Sequence, residues 1–138
     1  MTIKLSYEIG KNDFAKAGTA SSSIKKVLRQ LGISADLIRR VAVATYEAEM
    51  NIVIHSDGGN IILQVIPEKI QITALDRGPG IADIDMAMKE GYSTAPEEVR
   101  EMGFGAGMGL PNMKRCADEF SITSSLGNPT ELIIVFNI

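Results

Sequence analysis

The chain lacks most of what would staple it, anchor it in a bilayer or draw it to nucleic acid. Its 138 residues include one cysteine, Cys116. An internal disulfide is therefore excluded, and a lone thiol fits a reducing, cytosolic compartment. The one histidine, His55, leaves too few ligands for a histidine-built zinc site. Fourteen Lys and Arg against seventeen Asp and Glu give a formal net charge of −3. The basic residues are spread along the chain, so no DNA- or RNA-binding surface is expected. No stretch approaches the roughly 20 apolar residues that span a bilayer. The opening MTIKLSYEIGKND carries no long apolar run and no cleavage pattern, so no signal peptide is expected. Internal repeats, low-complexity tails and linkers are also missing. What remains is an ordinary globular composition, 45% hydrophobic and 22% charged, long enough for one domain, residues 1–138, with a real core.

The periodicity predicts a strand over Ile3–Ile9, where apolar and polar residues alternate. A helix follows over Phe14–Leu31, capped by Asn12 or Asp13 and stopped by Gly32. Ser34 caps a second helix over Ala35–His55, which is apolar on nearly all sides from Val41 onward and so reads as a central, covered element. Ser56-Asp57-Gly58-Gly59 is a turn cluster. Asn60–Ile66 and Lys69–Leu75 read as an antiparallel hairpin joined through Pro67-Glu68. A short helix is expected near Ile84–Lys89, and residues 90–106 read as a loop. A further helix begins at Met108 or Leu110 and runs to Ala117. Strands over Phe120–Ser124 and Glu131–Ile138 close the chain around a Gly127-Asn128-Pro129 turn. Helices grouped early and strand pairs later predict an α+β fold, a mixed, mostly antiparallel sheet with helices on one face.

Three constellations could carry chemistry. In YEAEMNIVIH, residues 46–55, the residues Glu47, Asn51 and His55 recur at intervals of four and line an arc of roughly 80° on one helix side. Asn is a poor helix-interior residue, and a carboxylate among Ala, Met, Ile and Val needs a partner. A pocket-facing Glu–Asn pair suits a general base beside an oxygen ligand for Mg²⁺; the same pattern also fits a solvent-facing polar stripe. His55, at the helix end, could simply interact with the helix dipole. In DRGPGI, residues 76–81, an Asp ending a strand before two glycines could accept a hydrogen bond from an exocyclic amine such as that of adenine, or could initiate a plain turn. In GFGAGMGL, residues 103–110, glycine at every second position before a helix offers backbone N–H groups to an anion. The run matches neither the P-loop nor the dinucleotide fingerprint, and a flexible hinge is the other reading. No chemistry is assigned to Cys116, for which no activating neighbour is visible.

Glu-x-x-x-Asn, then Asp-x-Gly-x-Gly, then a variable loop and a glycine-rich run, in that order, resembles the Bergerat-fold ATPase superfamily of gyrase, the Hsp-ninety chaperones, histidine kinases and the MutL proteins. Within it, the chain looks most like the small stand-alone bacterial serine kinases that act as anti-sigma factors or stress-signalling switch kinases. GAGMGLPNMKRCADEFSI is similar to the segment after the lid in the switch-kinase branch. Met50 stands where switch kinases commonly place Arg, and Gly-Asn-Pro-Thr replaces their usual Gly-x-Gly-Thr.

The resemblance implies a two-layer ATP-binding sandwich and an ATP- and Mg²⁺-dependent serine/threonine protein kinase. Glu47 would match the general base and Asn51 the Mg²⁺ ligand. Asp76 would receive the adenine amino group, with Gly78 and Gly80 shaping the pocket and Thr130 supporting Asp76. Residues 91–104 would form the ATP lid, and Gly105, Gly107 and Gly109 would wrap the phosphates; Ile81, Met108 and Leu110 complete the nucleotide-binding set. The nucleophile is missing from this set, so the acceptor is expected on another protein, a small STAS-type anti-sigma antagonist domain. Histidine-kinase activity is not expected, because there is no dimerisation helix carrying a phospho-accepting histidine. The alternative is a nucleotide-dependent binding module that sequesters a sigma factor or other regulator without catalysis. A homodimer is compatible with either reading.

Overall fold

In a computed structural model, residues 2–10, 14–56, 58–77, 109–124 and 129–138 are described. Strand β1 (Ile3–Ile9) leads through a single 3-10 turn, Phe14–Lys16, to helix α1 (Thr19–Gln30) and then helix α2 (Ala35–His55). Strands β2 (Gly59–Ile66) and β3 (Lys69–Asp76) follow, then helix α3 (Gly109–Cys116) and strands β4 (Glu119–Thr123) and β5 (Glu131–Asn137). The strands form one sheet in the order β1-β2-β3-β5-β4. Every described pairing is antiparallel. The expected α+β architecture, with helices against a mostly antiparallel sheet, is the observed one. The helix expected near Ile84–Lys89 and the loop and lid expected over 90–106 lie outside the described residues.

Register explains the core. Because side chains alternate along a strand, the pairings align Leu5, Leu63, Ile72, Ile134 and Phe120 in one row across the sheet. A second row holds Tyr7, Ile61, Ala74, Leu132 and Ile122. Ile61, Leu63, Ile70, Ile72, Ile134 and Phe136 are fully enclosed beneath the helices, whose Ile24, Leu28, Val41, Ala44, Ala48 and Met113 share the same core. The opposite face carries half-buried or exposed residues such as Ser6, Thr73 and Ser121. Helix α2 is central among the helices, with α1 packed on one flank and α3 on the other.

Local chemistry sets the helix ends. Ser34 Oγ accepts the N–H of Leu37 at 3.4 Å and caps α2 as expected. Gly32 stops α1 through a left-handed backbone, φ +78, which lets the N–H of Ile33 reach back to the carbonyl of Leu28 at 3.1 Å. Arg40 joins the far ends. Its Nε donates to the Cys116 carbonyl at 2.9 Å, its Nη2 lies 3.4 Å from Asp118, and its guanidinium stands 5.9 Å from the centre of the Phe136 ring.

Two expectations are corrected. The first long helix starts at Thr19, not Phe14, after Gly18 in a left-handed turn at φ +90 with no side-chain cap of its own. The expected caps, Asn12 and Asp13, lie outside the described residues. Its first turn is instead satisfied from another helix: Glu49 of α2 accepts the N–H of Gly18 at 3.0 Å, of Ala20 at 3.2 Å and of Ser21 at 3.1 Å. Sequence periodicity cannot register a cap supplied from some thirty residues away. The second correction concerns α2, which is not covered all round: Val43 and Tyr46 are 40% and 37% exposed on its outer side.

Glu49 is 1% exposed, so removing its carboxylate strands three N–H donors beside a new cavity. Glu49→Ala should lower the unfolding free energy by about 2–4 kcal/mol, and Glu49→Gln, which keeps one acceptor oxygen, by about 1–2 kcal/mol. Urea denaturation midpoints measure both, and a neutral Glu49→Ala would refute the cap.

Candidate functional site

Glu47 and Asn51 lie one turn apart on α2, both half-buried. Glu47 is two residues before Glu49, about 200° around the helix. With Glu49 turned to α1, Glu47 turns to the opposite flank, where α3 packs. There Asn112 Nδ2 donates to Glu47 Oε1 at 3.5 Å, and Arg115 Nη2 donates to Asn112 Oδ1 at 2.5 Å. Burial pushes the Glu47 carboxyl above its ordinary value of 4.5, and the Asn112 hydrogen bond opposes that rise. A carboxylate short of solvent, held by one long neutral hydrogen bond, is a better proton acceptor than an exposed one.

The start of α3 brings the end of the glycine-rich run to this flank. Gly109 is the first residue of the helix and Leu110 is buried behind it. No acidic side chain occupies the first turn, and Pro111 sits where helices leave N–H groups unpaired anyway. Gly105, Gly107 and Met108 lie outside the described residues.

Asp76 ends β3, opposite Gly59 at the start of the strand that follows α2. It is held from both sides. Toward β5, Asp76 Oδ1 accepts the Thr130 N–H at 2.9 Å and the Asp76 N–H donates to the Thr130 carbonyl at 3.1 Å. Thr130 Oγ1 and Ser124 Oγ are hydrogen-bonded at 2.6 Å. Toward β2, Asp76 is paired with Gly59, and the next N–H, of Arg77, donates to the Gly58 carbonyl at 3.0 Å. A Cβ at Gly59 would stand 2.1 Å from the Leu75 carbonyl oxygen and 2.8 Å from the Asp76 Cα, so only glycine lets β2 close on the end of β3. Gly78, Gly80 and Ile81 lie outside the described residues.

Thus Glu47 and Asn51 share a helix flank with the start of α3, and Asp76 and Thr130 are directly bonded. His55 is the last residue of α2, and its side chain is not among those described. Cys116 ends α3 half-buried, and burial pushes its thiol up, away from the reactive thiolate. Sequence reasoning missed Glu49, Asn112, Gly59 and Ser124. Only the unusual Glu-x-Glu spacing at 47 and 49 could have signalled one of them.

Comparison with known proteins gives this arrangement a family. Residues 11–135 match the family described as the histidine kinase-like ATPase domain. The chain belongs to that family. It is 34% identical over 112 residues, 78% of each chain, to the serine/threonine-protein kinase RsbT of Bacillus subtilis. It is 30% identical over 121 residues to the anti-sigma F factor of Clostridium beijerinckii, covering 83% of this chain and 81% of that one. Against the anti-sigma F factor of Thermoanaerobacter sp. the identity is 34% over 106 residues, with 73% and 71% covered. In fold it resembles a chain of the SiaB-SiaC complex from Pseudomonas aeruginosa, at a TM-score of 0.64 and 12% identity over 96% of this chain and 88% of that one. The chain is a nucleotide-using protein kinase of the serine/threonine, anti-sigma regulatory type. Among the described residues no helix is long and apolar enough to cross a membrane.

The raised Glu47 carboxyl has a consequence for stability. The native state holds the Glu47 proton more tightly than the unfolded chain does, so this group favours folding fully below about pH 4.5 and less as pH rises through its folded value. Glu47→Gln should therefore equal or slightly exceed the parent in Tm at pH 7, the difference fading toward pH 4. Calorimetry across that range tests this, and a marked destabilisation at pH 7 would contradict the assigned environment.

Proposed function

We propose that the chain transfers the γ-phosphoryl group of ATP, with Mg²⁺, to a serine or threonine of a separate regulatory protein, a small STAS-type anti-sigma antagonist domain in the cytoplasm. The observation that carries this reading is Glu47, a half-buried carboxylate with a raised proton affinity, turned to the helix start that ends a glycine-rich run. In this reading Glu47 takes the proton of the acceptor hydroxyl as that oxygen bonds phosphorus, and the departing ADP keeps the electron pair of the broken P–O bond.

Asn51, one turn further on the same flank, would hold the metal through its amide oxygen. Among the described residues no group of three or more His, Cys, Asp or Glu could hold a metal ion. A single protein oxygen fits Mg²⁺, which keeps several waters and shares phosphate oxygens rather than sitting in a protein cage. Bound there, Mg²⁺ would neutralise charge on the transferring phosphoryl group. Asp76, held by Thr130, would accept the adenine amino group beside Gly78, Gly80 and Ile81. Gly105, Gly107, Met108, Gly109 and Leu110 would follow the phosphates, with residues 91–104 as the lid of this single domain.

A second reading has its own support, since several relatives at 30–34% identity are named anti-sigma factors. Here the bound nucleotide controls capture of a sigma factor or another regulator. A stable complex formed with ATP but without transfer would favour it.

Isothermal titration with ATP and Mg²⁺ should show binding to the parent and nearly unchanged affinity for Glu47→Gln. That variant should lose phosphotransfer to candidate STAS-type domains by at least about 100-fold; transfer at the parental rate would remove Glu47 as the base. Asp76→Asn keeps an oxygen for the Thr130 N–H but loses the charge. It should weaken ATP binding by about tenfold or more, and an unaltered Kd would dismiss the adenine contact.

A further inference from the structure

We infer that Asn112, oriented by Arg115, is a positioning residue for Glu47: it fixes which way the carboxylate faces on the flank between α2 and α3. The inference rests on the proposed role of Glu47 as base. An asparagine amide can sit in either of two orientations, one offering its NH₂ and the other its oxygen to a given neighbour. A carboxylate rewards only the NH₂, and a guanidinium, which has donors alone, rewards only the oxygen. Here the two demands agree. Asn112 Oδ1 takes the Arg115 donor at 2.5 Å, so Nδ2 faces Glu47 Oε1 at 3.5 Å.

Residues 112 and 115 are three apart on α3, neighbours on one helix face, so the Arg115–Asn112 pair is set within one helix. Only the last bond crosses to α2. Glu47 is thereby tied to the helix whose first residue, Gly109, ends the glycine-rich run, three residues before Asn112. The bond engages Oε1, which anchors the carboxylate to α3 and limits its rotation about the final side-chain bond. A base confined to one orientation loses less freedom on reaching the transition state.

Among the described residues, the neighbouring cations do not substitute for Asn112. Arg40 is committed to the Cys116 carbonyl and to Asp118. Lys114 is exposed two residues further on, about 200° around the axis from Asn112. Asn112 is half-buried and Arg115 exposed, outside the enclosed core, so truncating either leaves the fold standing.

The test compares the parent with Asn112→Ala, Arg115→Ala, Arg115→Lys, the Asn112→Ala/Arg115→Ala double variant and Glu47→Gln. ATP affinity is read by titration, and single-turnover transfer from ATP is read with the STAS-type domain that the parent phosphorylates, or by ATP hydrolysis to water where no domain accepts. Asn112→Ala should slow transfer about tenfold with ATP affinity changed less than twofold. Arg115→Ala should slow it several-fold, Arg115→Lys should restore it, and the double variant should be no slower than Asn112→Ala alone, because Arg115 acts through Asn112. In ¹⁵N NMR spectra of the full chain, the Asn112 side-chain amide signals should shift in both Glu47→Gln and Arg115→Ala. Transfer by Asn112→Ala at the parental rate, with Glu47→Gln inactive, overturns the positioning role and leaves the base intact. An active Glu47→Gln overturns the base and this inference with it.

Discussion

A carboxylate buried between two helices organises this molecule. Glu49 supplies acceptors to three N–H groups at the start of α1, where the positive end of the helix dipole also favours a negative charge. The bonds fix more than the end of α1. A helix packed on a sheet and flanked on both sides can in principle rotate about its own axis. The cost of leaving Glu49 unpaired in the interior forbids that for α2. With Glu49 turned to α1, geometry sends Glu47 to the α3 flank, and Asn51 stands one turn beyond it. The side of α2 on which the candidate base stands is thus set by a residue that the proposed chemistry does not use.

The two carboxylates, two residues apart, illustrate how environment divides labour. Glu49 is 1% exposed and meets three backbone donors. Glu47 is half-buried, meets one side-chain amide at 3.5 Å, and is pushed toward holding its proton. The first arrangement suits a structural role, and the second suits a group that gives and takes a proton.

At the other end of α2, a backbone arrangement does comparable work. Gly59 allows β2 to approach β3 more closely than any side chain would permit, while Thr130 brackets Asp76 through both its carboxylate and its N–H. The end of β3 is therefore held by both of its neighbouring strands, and Leu110 and Met113 root α3 in the same core as the sheet. Similarity to RsbT and to anti-sigma F factors places this frame in a family whose reaction calls for such positioning of a nucleotide.

Much of this was legible in one dimension. Alternation in β2 and β3, the four-residue recurrence of Glu47 and Asn51, the Ser34 cap and the Gly32 stop are local signals, because each depends on neighbours a few residues away. They located α2 to the residue and the strands to within one. The order of the three polar and glycine segments pointed to an ATPase. Tertiary structure alone decided the rest. The start of α1 moved to Thr19 because its cap comes from Glu49. The outer side of α2 stayed open at Val43 and Tyr46 because α1 and α3 cover only its flanks. Asn112 and Arg115 carry no local signal of their link to Glu47, which arises only where α3 packs against α2. Local chemistry acts over one helical turn or one strand pair, and what determines a site is which turns and strands meet.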